Sequence, residues 1–275
     1  YFGMIPAALA GIDVSLLLDR ADHLRESSAA CVPAEENPGV WLGSVMATLA
    51  KAGRDKLTVL TSPTLSSFGL WAEQLIAESL GKEGKGIIPI AGEPLLAPKN
   101  YSDDRFFVYL RFDGDNNAKT DSGVEALRAV GHPVVQLDLR DRYDIGSEFY
   151  RWEYATAIAG AVLVVNPFDQ PNVQSAKDKA AEVLKAYAAT GSLPTQNASA
   201  ALENLLSRAH AGDYLAIMAY VEQTPETDAA LATLRQRAME KHHIATTVGY
   251  GPRFLHSTGQ LHKGGPATGL FLQIT

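Results

Sequence analysis

Residues 57–90 read LTVLTSPTLSSFGLWAEQLIAESLGKEGKGIIPI. The runs 57–60 and 86–90 are short, apolar and bounded by turn residues, which is typical of buried strands. Between them, one segment has its apolar residues at the spacing of a helix face: Phe68, Trp71, Ala72, Leu75 and Ile76. A buried strand, an amphipathic helix and a second buried strand predict one β-α-β unit of a parallel sheet.

The same alternation continues toward the carboxyl end of the chain. Further strand-like runs occupy residues 106–112, 134–139, 214–221 and 244–248. Thr224-Pro225-Glu226 predicts a helix start, because it offers a capping hydroxyl, a first-turn proline and an acid near the positive dipole end. We therefore predict a doubly wound α/β domain with helices on both faces of a parallel sheet. Its ligand is expected beyond the carboxyl ends of the strands.

Composition limits the classes of function. The 275 residues are 46% apolar and 20% charged, with a formal net charge of −7. That balance argues against a nucleic-acid surface, which needs clustered positive charge. The longest apolar run, residues 155–165, is short of the roughly 20 residues of a membrane span. A single cysteine, Cys31, permits no internal disulfide, so we expect a globular cytoplasmic protein.

Residues 1–55 differ from the rest of the chain. Helical patches at 6–20 and 40–52 are joined by the polar stretch 25–39, which predicts a helical connector or tail of a preceding domain. The α/β domain is then expected to occupy residues 56–275. Because the chain opens on YFGMIP without an initiator methionine, we expect a piece of a longer protein. A processed terminus or a trimmed tag is the alternative.

The usual cofactor and metal signatures are absent from the sequence. No G-x-G-x-x-G follows a strand, and no G-x-x-x-x-G-K-[ST] occurs. The adjacent pair His242-His243 cannot point both rings at one metal from a regular element, so it is expected to interact with a helix end. We therefore predict neither a cofactor nor a metal.

Three stretches carry candidate chemistry. Lys177 falls on the face of a helix whose apolar residues are Val173, Ala176, Ala180, Leu184 and Tyr187. A lysine there either reaches a substrate or extends to the rim of the apolar face, and spacing alone leaves both possibilities open.

Glu78 ends a helix, where the dipole raises the basicity of a carboxylate, although a solvated acid is the commoner interpretation. The Gly-rich stretch 255–266, with His256 and His262, suits a polar ligand or an ordinary surface loop.

Together these stretches resemble the phosphoglucose isomerase family. Its motif F-D-Q-x-G-V-E-x-x-K is matched by FDQPNVQSAK (168–177), except at Asn172 and Gln174. Its motif E-S-x-G-K is matched by ESLGK (78–82), followed by KGIIP (85–89). Its histidine context L-H-S-x-G-Q is displaced: LHSTGQ stands late in the chain, at 255–260. That late position is similar to the isomerase part of fused transaldolase–phosphoglucose isomerase proteins.

The resemblance implies a sugar-isomerase (SIS-type) domain that interconverts glucose 6-phosphate and fructose 6-phosphate without a cofactor. It implies that Glu78 moves a proton between C2 and C1 through a cis-enediol. Lys177 and His256 would open the sugar ring, and Gln170 would hold the phosphate end or the sugar hydroxyls. It also implies a homodimer, in which His256 acts in its own subunit or across the interface.

The family's G-G-R-[FY]-S segment and its phosphate-binding domain would lie upstream of Tyr1. We therefore expect the chain to be the carboxyl-terminal part of an isomerase that is inactive alone, and a transaldolase domain could precede it. The main alternative is a non-catalytic module of the same fold that binds sugar phosphates and regulates a partner. A transaldolase is disfavoured, because its Schiff-base lysine belongs on a barrel strand and Lys177 is expected on a helix.

Overall fold

A computed structural model describes residues 3–193 and 202–275, without the side chains of residues 173–176. Within this part of the chain the strands are β1 (Lys56–Thr61), β2 (Ile88–Ala91), β3 (Arg105–Phe112), β4 (Val134–Leu139), β5 (Tyr214–Ala219), β6 (Ala245–Tyr250) and β7 (Gly269–Ile274). The helices are α1 (Met4–Leu9), α2 (Val14–Ser27), α3 (Pro38–Lys51), α4 (Ser66–Leu80), α5 (Ala118–Ala129), α6 (Ile145–Leu163), α7 (Pro171–Thr190), α8 (Leu202–Leu206), α9 (Pro225–His242) and α10 (Gly259–Gly264).

Strand β3 shows why the first sheet is covered on both faces. Phe106 and Val108 pack in one core with residues of α3, α4 and α6. Phe107 and Tyr109 point the other way and pack with residues of α5 and α9. Because successive strand residues alternate between faces, a continuous apolar run needs an apolar layer on each side. The predicted α/β class, with a parallel sheet between helices, is confirmed.

The strands form two parallel sheets rather than one. The first has the order β2-β1-β3-β4 and the second the order β6-β5-β7. The sheets meet where β2 faces β6, and there buried side chains replace the ladder of backbone hydrogen bonds. Arg235 donates to the carbonyls of Ala91, Gly92 and Thr246, and Glu93 accepts from the Thr246 backbone N–H. Strand β7, the third member of the second sheet, was not predicted.

Helices α2 and α3 lie in the segment predicted to be a connector. Leu42, Met46 and Ala47 of α3 are fully buried in the core of the first sheet. The predicted boundary between a connector (1–55) and the α/β domain (56–275) therefore stays a prediction. Helix α3 itself packs against the first sheet. Among the described residues, no helix combines the length and apolar character needed to cross a bilayer.

Candidate active site

The E-S-L-G-K and F-D-Q stretches are joined by one buried lysine. Lys82 follows the end of α4 and is 1% exposed. Its Nζ donates to the Asn166 carbonyl at 2.7 Å, to Asp169 Oδ1 at 3.0 Å and to the Asp169 carbonyl. A buried ammonium needs such partners, because it otherwise loses its hydration without compensation. Lys82 therefore fixes the loop before α7 against the end of α4.

Gln260 adds the third stretch to the same junction. Its Nε2 donates to the Gly81 carbonyl at 3.0 Å and to Asn172 Oδ1 at 2.8 Å. Its Oε1 accepts from the Asn172 backbone N–H at 3.3 Å. One amide side chain thus contacts both other motifs, and α10 is held beside the end of α4 and the start of α7.

Gly81 is required by this close approach. A Cβ atom on Gly81 would lie 2.6 Å from the Cα of Leu261 in α10, which is well inside van der Waals contact. The glycine of E-S-L-G-K therefore allows the backbones of Gly81 and Leu261 to come into contact. Glycine is needed there because a side chain would clash, not because the backbone adopts an unusual turn.

Glu78 lies in the last turn of α4, half-buried beside this junction. Burial raises the pKa of its carboxyl, while a hydrogen bond from Gln74 and the charges of His256 and Lys82 oppose the rise. The bond from Gln74 Nε2 to Glu78 Oε2 is long, at 3.5 Å. His256 therefore lies near enough for its charge to act on Glu78.

Lys177 and Gln170 are placed differently. Gln170 is the exposed N-cap residue of α7, and its side chain makes no capping bond. Lys177 is exposed, as is every other residue of α7 from 178 to 190, so the predicted apolar stripe is not buried. Val173 and Ala176, the first residues of that stripe, lie outside the described side chains. Within the described residues, no hydrogen bond or ion pair joins Lys177 to Glu78 or His256.

The sequence analysis did not single out two polar side chains of this region. Gln74 lies one helical turn before Glu78 and donates to it. Glu73 is 5% exposed, on the buried face of α4 that also carries Ala77 and Leu80. The signal for Glu73 was available, because a carboxylate at helical spacing from buried apolar residues is unusual. In the described part of the chain, no group of three or more His, Cys, Asp and Glu residues could hold a metal ion.

The chain is similar to curated proteins named glucose-6-phosphate isomerase. The identity is 26% over 218 residues for the protein from Enterococcus faecalis (strain ATCC 700802 / V583), covering 64% of this chain and 47% of that protein. It is 29% for the protein from Rubrobacter xylanophilus, covering 64% and 49%, and 27% for that from Streptococcus pyogenes serotype M18, covering 64% and 47%. The chain therefore spans about half the length of the curated relatives it matches.

No family model matches the chain. A solved structure of a protein named for sugar binding, from Salmonella typhimurium LT2, covers 94% of this chain and 79% of its own at 10% identity. Its TM-score is 0.35, which is too low to carry an argument. The similarity to known proteins therefore rests on the sequence relatives, at 26–29% identity over 64% of this chain.

Proposed function

We propose that this chain is the carboxyl-terminal part of an enzyme that interconverts glucose 6-phosphate and fructose 6-phosphate. The observation that carries the proposal is the junction made by Lys82 and Gln260, which joins the three motifs beside Glu78. The names of the sequence relatives support the same activity. Because the chain spans about half of their length, the activity is proposed for the longer protein.

Glu78 is the proposed general base. Its carboxylate would take the proton from C2 of the open-chain aldose while O1 gains a proton, which gives a cis-enediol. It would then return the proton to C1 while the O2 hydroxyl loses its proton, which gives the ketose with a net proton shift from O2 to O1. Partial burial favours this role, because it raises the pKa of Glu78 and makes the carboxylate a stronger proton acceptor. His256 and Lys177 are proposed to assist ring opening at the ring oxygen and the C1 hydroxyl. Gln170 is proposed to bind the phosphate end or the sugar hydroxyls.

The proposed partners follow from the length of the relatives. We propose that an isomerase domain precedes this chain and supplies the phosphate site. A homodimer and a fused transaldolase domain are further proposals. The sequence immediately before Tyr1 tests the first point, because the proposal expects G-G-R-[FY]-S there. Full turnover by the isolated 275-residue chain would contradict it.

Glu78→Gln in the complete protein tests the catalytic assignment. The change keeps the size and the hydrogen-bonding ability of the side chain but removes the base, so turnover should fall by about 10²-fold or more while glucose 6-phosphate still binds. Glu83→Gln, at an exposed acid in the following turn, is the matched control and should leave turnover unchanged. Turnover that survives Glu78→Gln would instead favour a non-catalytic module that binds sugar phosphates.

The dependence of kcat/KM on pH gives a second readout. Since burial raises the pKa of Glu78, the acidic limb of the profile should lie above the ordinary carboxyl value of 4.5. Below that limb the base is protonated and turnover is lost. A limb at or below 4.5 would exclude Glu78 as the group that titrates.

A further inference from the structure

A cavity opens between α4 on one side and β6 with the segment that follows it on the other. Its volume is about 220 Å³, and its wall includes Trp71, Glu73, Gln74, Arg253, Phe254 and Ser257. We call it the Glu73 cavity. Gln74 lines the cavity and also donates to Glu78, and Ser257 directly follows His256. Gln74 thus links the cavity to Glu78, which does not itself line it.

Glu73 is the unexplained group in this cavity. Its side chain is 95% buried, yet among the described residues it has neither a hydrogen-bond donor nor an ion pair. The Glu73 oxygens are not among the polar atoms that are sealed from solvent without a partner, so they are accessible to donors in the cavity that the side chain lines. Glu93, the buried acid at the seam where β2 faces β6, shows how a buried carboxylate is usually satisfied. It accepts hydrogen bonds from Arg105 and Thr246.

The nearby arginines do not satisfy Glu73. The charges of Arg235 and Arg253 favour the ionised form, but burial outweighs them and raises the pKa of Glu73 to about 7. The guanidinium of Arg235 is already bonded to Thr246 and to the carbonyls of Ala91 and Gly92. Arg253 is exposed at the wall of the cavity. The Glu73 carboxyl is therefore free to form hydrogen bonds with a ligand that enters the cavity.

The lining selects the class of ligand. A cation is disfavoured, because two guanidinium groups act on the same space. An anion would face Glu73 whenever that carboxyl is ionised. A neutral hydroxylated carbon chain avoids both problems, since a hydroxyl group donates to a carboxylate and accepts from a carboxylic acid. Trp71 and Phe254 offer apolar surfaces for its C–H groups.

We propose that the Glu73 cavity is a subsite for the hydroxyl groups of a sugar, which pair with the Glu73 carboxyl. This inference rests on the proposed function, because that function makes a sugar the expected ligand of the cavity. It assigns Glu73 a binding role and leaves the proton transfer to Glu78.

The test uses D-glucitol, an uncharged hexitol that neither isomerises nor titrates near neutrality. Added to the 275-residue chain, it should move the Trp71 indole N–H resonance in a saturable way. Glu73→Leu should raise the Kd at least about tenfold, because it removes hydrogen bonds to a buried charged group. Glu83→Gln should leave the Kd unchanged. No saturable shift, or an unaltered Kd in Glu73→Leu, would overturn the proposal.

A measurement on the unaltered chain removes any dependence on the folding of the variant. With ¹³C-labelled glutamate, the titration midpoint of the Glu73 carboxyl should move by about half a pH unit or more when D-glucitol saturates the cavity. An unmoved midpoint contradicts the subsite. Neither experiment measures isomerase turnover, so the two proposals can fail independently. Binding of D-glucitol tests the subsite, and turnover of Glu78→Gln tests the proposed function.

Discussion

Replacing Glu73 by glutamine should stabilise the protein at alkaline pH and not at acidic pH. Burial raises the pKa of Glu73 from 4.5 to about 7 in the folded state, and unfolding restores the ordinary value. Below pH 4.5 the carboxyl is protonated in both states and contributes nothing. Between pH 4.5 and 7 the unfolded state ionises first, so the free energy of unfolding falls as pH rises.

The magnitude follows from the size of the shift. A rise of about 2.5 units at roughly 1.4 kcal/mol per unit costs the folded state about 3 kcal/mol once the pH exceeds 7. Because the side chain is almost fully buried, solvent screening removes little of this cost. Glutamine has nearly the same shape and no charge, so Glu73→Gln should recover most of it. The gain over the unaltered chain should be about 3 kcal/mol larger at pH 8 than at pH 4.

Urea unfolding at a series of pH values measures this difference. Trp152 is fully buried in the core of the first sheet, so its fluorescence reports the loss of that core. Glu83→Gln, which removes an exposed acid from the same region, is the matched control and should show no pH-dependent gain. A stability difference that is independent of pH, or larger at pH 4, would refute the assignment of the raised pKa to Glu73.

Three further substitutions test the contacts that build the site and the seam. Lys82→Met should lower the free energy of unfolding by about 2 kcal/mol, measured in urea, because it breaks charge-assisted hydrogen bonds to Asp169. An unchanged free energy of unfolding would show that Lys82 does not hold the junction together. Gly81→Ala should cost about 2 kcal/mol in thermal unfolding, since its Cβ would overlap Leu261, whereas Gly3→Ala, with open space around it, should cost nothing measurable. Glu93→Leu should cost about 3–5 kcal/mol in urea unfolding, because it leaves Arg105 buried without its partner; a loss below 1 kcal/mol would contradict the proposed seam.

Much of the fold could be predicted from hydrophobic periodicity. The strands predicted at 57–60, 106–112 and 134–139 correspond to β1, β3 and β4, within one or two residues at their ends. The start of α9 was also predicted correctly, and Thr224 caps it by accepting from the Thr227 backbone N–H. These features are local, since they depend on side chains a few residues apart.

The features that were missed depend on distant residues. Where the two sheets meet, Arg235 and Glu93 both bond to Thr246, and these three residues come together only in the folded chain. Strand β7 follows a Gly-rich stretch whose polar composition indicated a loop. The exposure of α7 has the same origin, because helical spacing identifies an apolar stripe but not the surface that covers it.

The residues of the candidate site stay predictions, and the contacts that assemble them could not be predicted from the sequence. Glu78 and His256 were singled out from motifs, and the structure brings them within electrostatic reach. Lys82 and Gln260 stand inside the same motifs, yet their role as links between them required three-dimensional contacts. Gln170 and Lys177 remain predictions, since both lie exposed at α7.

The environments of two carboxyls on α4 separate their roles. Glu73 and Glu78 are five residues apart, so they point in directions about 140° apart on the helix and cannot share a proton. Burial raises the pKa of both carboxyls, and nearby groups oppose it at each: Arg235 and Arg253 at Glu73, and Gln74, His256 and Lys82 at Glu78. A base must be ionised at working pH, and near-complete burial raises the pKa of Glu73 to about 7, whereas Glu78 is only half-buried. The same helix thus offers one carboxyl suited to proton transfer and one suited to binding hydroxyl groups.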